Sequence, residues 1–391
     1  MVTPRFRWFA MALAAALFSG LLAAPYQAPE QALRAAPGWL YALDEPAWIA
    51  RALHLGLHLA AVWLAAGWFG ALLPAQAARA ALLLYAIHPA QTQAIASLEG
   101  RPLLAAAVLS LAALRCWRGG RVWPAVSCGA LAALGHWSAL ALGPLLWLWS
   151  AREQRREAAA PLGVISGVGL ATAIHALGQA EGAAWPALEG LGLALLRGLG
   201  QTALPAGLSA YPSMRFAAGP AVAGWCGLAG LLAWLAWKRP GPWRWVVAGL
   251  MALAPAAGAA APALALVFLC GAAGWLAAGT DRRLLQTAAA LFAVVTLLQV
   301  EMWRSERRVW LEAARLAPLE AGPRLRLAPL VDARHALELL EEARRLAPGD
   351  PRTGFALAEA YRRAGRPAAA EVEWERARRA CGGPCANGPA K

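Results

Sequence analysis

LHLGLHLAAVWLAAGWFGALL, Leu53 to Leu73, decides the fold. It holds no Asp, Glu, Lys or Arg, and as a helix rising about 1.5 Å per residue it matches the roughly 30 Å hydrocarbon core of a bilayer. Similar runs recur outward in both directions. Spans are expected at Trp8–Ala24, Leu53–Leu73, Ala80–Ile87 continuing past a break, Leu103–Leu114, Val122–Gly135, His136–Trp149, Leu162–Leu177, Ala217–Trp237, Trp243–Ala257, Ala263–Ala278 and Leu284–Trp303. Several fall short of the about 20 residues that a perpendicular crossing takes, so these must tilt, thin the bilayer or re-enter. Composition agrees. Of 391 residues 60% are hydrophobic and only 15% charged, with mean hydropathy +0.47, whereas a soluble domain carries about 25% charged residues. An ordinary cytosolic enzyme is excluded. The expected fold class is all-α: a polytopic membrane domain of about 10–11 spans over residues 1–303, a short helical repeat module over 304–381 and a flexible tail over 382–391.

A formal charge of +14 and a pI near 10.6 would suggest nucleic acid in a soluble protein. Here the cations serve topology. With the N-terminus inside, Arg5, Arg7, Arg79, Arg115, Arg118, Arg121, Arg152, Arg155, Arg156, Lys238, Arg239, Arg244, Arg282 and Arg283 fall on the cytoplasmic side. The outer loops before the tail receive only Arg34, Arg51, Arg101, Arg197 and Arg215, the asymmetry that the positive-inside rule describes. Arg5 and Arg7 before FAMALAAALFSGLLAA open either a signal peptide, with Leu22-Ala23-Ala24 as its cleavage-like end, or a first span; both leave the next segment outside. The last span then delivers the tail to the outer face. Cations that are almost all Arg, together with abundant Ala, Gly and Pro, point to a GC-rich bacterial gene. The expected location is therefore the cytoplasmic (inner) membrane of a bacterium, with the tail periplasmic, membrane lipid as a partner and no nucleic acid.

The tail turns Arg/Glu-rich from Arg304. EEARRLAPGDP (Glu341–Pro351) and ERARRACGGP (Glu375–Pro384) are in register at the 34-residue spacing of tetratricopeptide repeats, with Ala343 matching Ala377. Ala358, Ala370, Tyr361 and Gly365 fall where such repeats pack helix on helix, and LEAARLAP (Leu311–Pro318) is an earlier copy at a shortened spacing. Two to two and a half repeats are fewer than the about three that stand alone, so the module leans on the membrane domain or on a partner. Tyr361, Arg362 and Trp374 are its candidate protein-binding residues.

Cys116, Cys128, Cys226 and Cys270 sit in or beside apolar runs as small buried hydrophobes, while Cys381 and Cys385 in CGGPC are close enough to form a disulfide. His54 and His58, four apart, fit a metal pair on spacing alone, but no carboxylate accompanies them. Without a Gly-rich phosphate loop, a Walker lysine or a spaced Cys/His cluster, nucleotide-driven transport and zinc chemistry have no support, and neither a cofactor nor a metal is expected.

The order of motifs resembles the transmembrane and tetratricopeptide repeat-containing family, relatives of the protein O-mannosyltransferases with a type C glycosyltransferase membrane fold. YAIHPAQTQAIASLEGRPLLAAAVL (Tyr85–Leu109) is similar to that family's span ending in His-Pro, short outer helix and Gly-Arg opening the next span. RALHLGLHLAAVWL (Arg51–Leu64), ALPAGLS (Ala203–Ser209) and MWRSERRVWLEAARLAP (Met302–Pro318) support it, so the resemblance covers nearly the whole chain. It implies transfer of a sugar from a polyprenyl-phosphate carrier to a Ser or Thr hydroxyl, with a carboxylate removing the hydroxyl proton and basic groups holding the departing phosphate.

The acids depart from the family pattern. Only Glu30, in PYQAPEQ, stands near the expected pair of Asp. Gln93 and Leu103 replace Glu and Asp around His-Pro and Gly-Arg, His136-Trp137 replaces Lys-Glu, Ala210 replaces Asp, and APAAGAAAPALAL (Ala254–Leu266) lacks a Glu-His-Arg cluster. Glu30 and Glu99 remain as candidate general bases, or as solvated loop glutamates. His88 and Arg101 are the candidate phosphate ligands; otherwise His88-Pro89 is a helix stop and Arg101 snorkels from a span end. Asp44-Glu45 falls late in its loop, before Pro46, where it could cap the next helix. Two functions follow, handling of a lipid-linked sugar or a non-catalytic scaffold binding proteins through its repeats. A small-molecule transporter suits the composition but not the scarcity of charge within the spans.

Overall fold

The structure is a computed structural model that describes residues 2–24, 46–98, 100–150, 162–171, 244–249, 252 and 263–381. Among the described residues every regular element is a helix. The chain forms two compact units, the break in the described residues falling between Arg304 and Ser305.

In the first unit Thr3 caps α1 (Pro4–Phe18), accepting from the Phe6 N–H, and a 3-10 stretch (Ser19–Ala23) extends it. Proline opens the next two helices, since it lacks only an N–H that a first turn leaves unbonded anyway. Pro46 precedes α2 (Ala47–Leu72) and Pro74 precedes α3 (Ala75–Ile87). α3 stops because His88 precedes Pro89 and so takes an extended backbone, ψ 125°. Then follow α4 (Gln91–Ala96), α5 (Gly100–Arg118), α6 (Val122–Gly135), α7 (Leu142–Trp149), α8 (Leu162–Ala171), α9 (Ala263–Leu276) and α10 (Arg282–Trp303). Among the described residues four helices are long and apolar enough to cross a membrane: Pro4–Ala23 with its 3-10 extension, α2, α5 and α10. Five more apolar helices are shorter, α3 among them; at 13 residues it rises only about 20 Å. The expected span Ala217–Trp237 lies outside the described residues, as do parts of Leu162–Leu177 and Trp243–Ala257.

Side-chain contacts fix the helix directions. At one end Arg7 lies over the Trp63 ring, Arg79 over Phe6, and Arg118 donates to the Ala71 carbonyl at 3.2 Å. At the other end His54 meets Ile95 and Arg101, Thr296 donates to the Ile87 carbonyl at 2.6 Å, and Gly20 abuts Val300. Hence α1, α3 and α10 run one way, α2 and α5 the other, and α10 ends where His54 and Arg101 lie. Its other faces are open, with Leu284, Leu291, Val294, Leu297 and Leu298 exposed, a surface suited to lipid. At the start of α5, a Cβ on Gly100 would fall 1.9 Å from the Ala94 carbonyl oxygen, so only glycine lets α4 turn back onto α5.

The second unit contains α11 (Glu306–Leu316), α12 (Ala321–Leu327), α13 (Ala333–Leu346), α14 (Pro351–Arg363) and α15 (Pro367–Ala380), each packing on the next. α11 and α13 end alike, Ala317 at φ −124°, ψ 65° and Ala347 at φ −134°, ψ 73°, both in Leu-Ala-Pro. Buried Ala313, Ala343 and Ala377 hold matching places on α11, α13 and α15. Gly365 at φ +72° makes the tight turn from α14 to α15, a conformation that a Cβ disfavours. Phe355 and Trp374 close the same pair edge to face, 4.9 Å apart. Glu373 takes Arg344 at 2.8 Å and Arg376 at 2.7 Å.

Three carboxylates in this unit titrate below their usual range. The His335 N–H and ring hold Asp332 down, and Arg324 does the same for Glu342. Burial pushes Asp350 up, but hydrogen bonds from Arg352 outweigh it and leave the pKa lowered. A carboxylate depressed by folding contributes stability that is fully present above its unfolded pKa, about 4, and is lost as pH falls through the folded value. Hydrogen-exchange protection of residues 306–380, corrected for intrinsic rates, is therefore expected to hold from about pH 7 to 5 and to fall by about pH 3. Protection unchanged at the lower pH would contradict these pairings.

Candidate functional site

Three basic side chains are buried where α2, α4 and α5 meet. Arg51, His54 and His58 follow one another at three and four residues along α2, which places them on one face of an otherwise apolar helix. Arg51 and His54 are wholly buried and Arg101, in the first turn of α5, is 2% exposed. The Arg101 Nε–H donates to His54 Nε2 at 3.2 Å, so that nitrogen bears no proton. His54 then carries its hydrogen on Nδ1 and donates it to the Ile95 carbonyl at 2.9 Å. Both ring nitrogens are engaged, and His54 acts as a neutral strut between α4 and the Arg101 guanidinium. Arg51 lies close enough to act on the same ring electrostatically. The cluster thus holds two guanidinium groups buried among apolar helices.

His88 turns elsewhere. It accepts from the Ala90 N–H at Nδ1, 3.2 Å, and its ring meets Phe292 of α10 edge to face at 5.2 Å. These contacts of His88 are with its own turn and α10, whereas Arg101 meets His54 on α2. Arg101 is buried rather than snorkelled to a surface. Glu30, Glu99, Asp44 and Glu45 lie outside the described residues. Cys381 is disulfide-bonded, while Cys385 lies outside the described residues. Cys116, Cys128 and Cys270 are free thiols. Among the described residues no three His, Cys, Asp or Glu gather as a metal site, and the engaged ring of His54 does not suit a metal pair with His58.

In the second unit all three expected protein-binding residues make contacts within the fold. Tyr361 donates to Glu341 at 2.9 Å, and burial together with that carboxylate raises its pKa; Trp374 packs on Phe355. Arg362 is exposed and paired with Glu359. A groove of about 400 Å³ opens between α12, α13 and α14, floored by Leu325, Ala336, Leu340 and Ala360 with Glu359 and Arg363 along it.

No family model matches the chain, and no curated protein or solved structure matches it either. Arg51 and His54 are the candidate site residues that sequence reasoning missed, taking the first for a loop cation and weighing the second only as half of a metal pair that it set aside for want of a carboxylate. The signal was present as a polar stripe at helical spacing inside an apolar run.

Proposed function

We propose that this chain is an integral membrane protein that binds the phosphate of a polyprenyl-linked sugar at its Arg51–His54–Arg101 end, on a scaffold like that of type C glycosyltransferases. The observation that carries this reading is the pair of buried guanidinium groups braced by a neutral histidine. Arginine offers a planar fork that matches phosphate, and a buried, water-poor setting strengthens such a contact. Glu30 and Glu99 remain the candidate bases for transfer to a hydroxyl. Titrating the full-length protein in lipid nanodiscs with a polyprenyl phosphate tests it. Saturable binding supports the reading, and binding no tighter than that of the uncharged polyprenol refutes it.

The helical unit is read as a tetratricopeptide module outside a bacterial inner membrane. Its matching helix ends at Ala317 and Ala347 and its buried alanines favour such repeats. The ends of the first unit favour the sidedness: Arg7, Arg79 and Arg118 gather at the end opposite to that where α10 finishes. Reporter fusions after Arg121, Arg239 and Arg304 are expected to read inside, inside and outside. A cytoplasmic signal from the last would overturn the exported module. A second reading, a non-catalytic scaffold that holds proteins, is favoured by the missing acids at Gln93, Leu103 and Ala210 together with the apolar groove of the repeats.

A further inference from the structure

Beside the basic cluster, one group of buried side chains has hydrogen-bonding capacity left over. No well-formed hydrogen bond reaches the Tyr85 hydroxyl, either amide atom of Gln91 or Nδ1 of His58, and the one interaction within the group, between the Tyr85 hydroxyl and the Gln91 amide, leaves most of its donors and acceptors unused. All three residues are wholly buried. They are also neighbours: the His58 and Tyr85 rings stand 6.0 Å apart, and the Gln91 amide lies next to the Tyr85 hydroxyl. Because the His58 Nε2–H donates to the Ala86 carbonyl at 3.1 Å, its Nδ1 can only accept. Orphaned polar atoms of this kind carry a free-energy penalty that a ligand or ordered water removes.

Their chemistry selects among occupants. The three groups are neutral and together offer an acceptor nitrogen, a hydroxyl and an amide with two N–H donors and a carbonyl. A cation finds no carboxylate here among the described residues. An anion meets the lone pair of His58, and an apolar group leaves every atom unpaired. Adjacent hydroxyl groups, each both donor and acceptor, match the set. His54 and His58 are one helical turn apart, about 6 Å, so this group adjoins the guanidinium cluster on the same face of α2. We propose that His58, Tyr85 and Gln91 form the subsite for the neutral, hydroxyl-bearing sugar of a carrier whose phosphate is held at the Arg51–Arg101 end, an inference that rests on the carrier-binding reading above.

The test compares a bare polyprenyl phosphate with the same carrier bearing mannose or glucose, on full-length protein in nanodiscs. The glycosylated carrier is expected to bind about 10-fold tighter, the size that a few neutral hydrogen bonds supply. Gln91→Leu should erase that preference, leave affinity for the bare carrier unchanged, and hold or raise the melting temperature of the carrier-free protein, since leucine leaves no amide unpaired. Tyr85→Phe, which removes one hydroxyl and keeps the ring, should cut the preference about threefold, and it decides alone if Gln91→Leu does not fold. A preference unchanged in either folded variant overturns the subsite. Equal binding of the two carriers by the wild-type protein overturns the subsite and leaves the phosphate site standing, whereas binding of neither overturns both.

Discussion

Arg101→Gln is expected to weaken binding of a polyprenyl phosphate by about 30-fold or more, because removing one member of a buried, hydrogen-bonded charge pair costs about 2–5 kcal/mol. The loss should be specific. Gln keeps a donor for His54 Nε2, so the strut between α4 and α5 can persist while the charge is gone. Arg101→Lys should fall between, since an ammonium keeps the charge but not the planar fork. Arg304→Gln is the control. That residue pairs with Glu301 at an exposed site, where such pairs contribute about 0–1 kcal/mol, and its loss should leave carrier affinity within about twofold. Equal affinities for the wild-type protein and Arg101→Gln, measured by titration in nanodiscs, would remove Arg101 from the site.

Gly100→Ala is expected to be the most destabilising single methyl that the first unit can receive at this turn. The added Cβ would sit 1.9 Å from the Ala94 carbonyl oxygen and 2.5 Å from its carbon, both backbone atoms, so α4 and α5 must part. Overpacking that displaces backbone costs about 1–3 kcal/mol or more, and parting these helices also breaks the His54 strut. The melting temperature of the full-length protein in detergent should drop by about 10 °C, with loss of carrier binding. Gly56→Ala on α2 is the contrast, since its Cβ would meet nothing within 4 Å and alanine favours helix, so stability should hold or rise. Equal melting of the two variants would contradict the described turn.

The apolar helices were legible because their runs are long and uncharged, and the end of α3 was legible at the His88-Pro89 stop, whereas α2 and α3 begin at Ala47 and Ala75, ahead of the expected starts at Leu53 and Ala80. Pro46, Pro74 and the His88-Pro89 stop all fall at helix boundaries. α5 and α10 reach beyond the expected spans to take in Arg101, Arg118 and Arg282, since hydropathy stops at the first charge but a helix does not. The register of the tail could be read because small residues repeat where helices touch, as Ala343 and Ala377 show. The site was harder. Arg51 looked like a loop cation because it stands just before a run, whereas it lies buried on α2, which packs against α4 and α5. The link from Arg101 to His54 spans 47 residues, and no local pattern encodes a hydrogen bond at that separation. The unpaired amide of Gln91 is likewise a property of the packing and has no counterpart in the sequence.

The central claim is that a carrier phosphate binds where α2, α4 and α5 meet. Photo-crosslinking the full-length protein with a polyprenyl phosphate carrying a short diazirine next to the phosphate, followed by peptide mapping, tests it most directly. Labelling is expected to concentrate within residues 47–62 and 85–104 and to be lost in Arg101→Gln. Labels spread evenly over the lipid-facing helices, with α10 marked as strongly as α2 and the pattern unchanged by the substitution, would contradict the account.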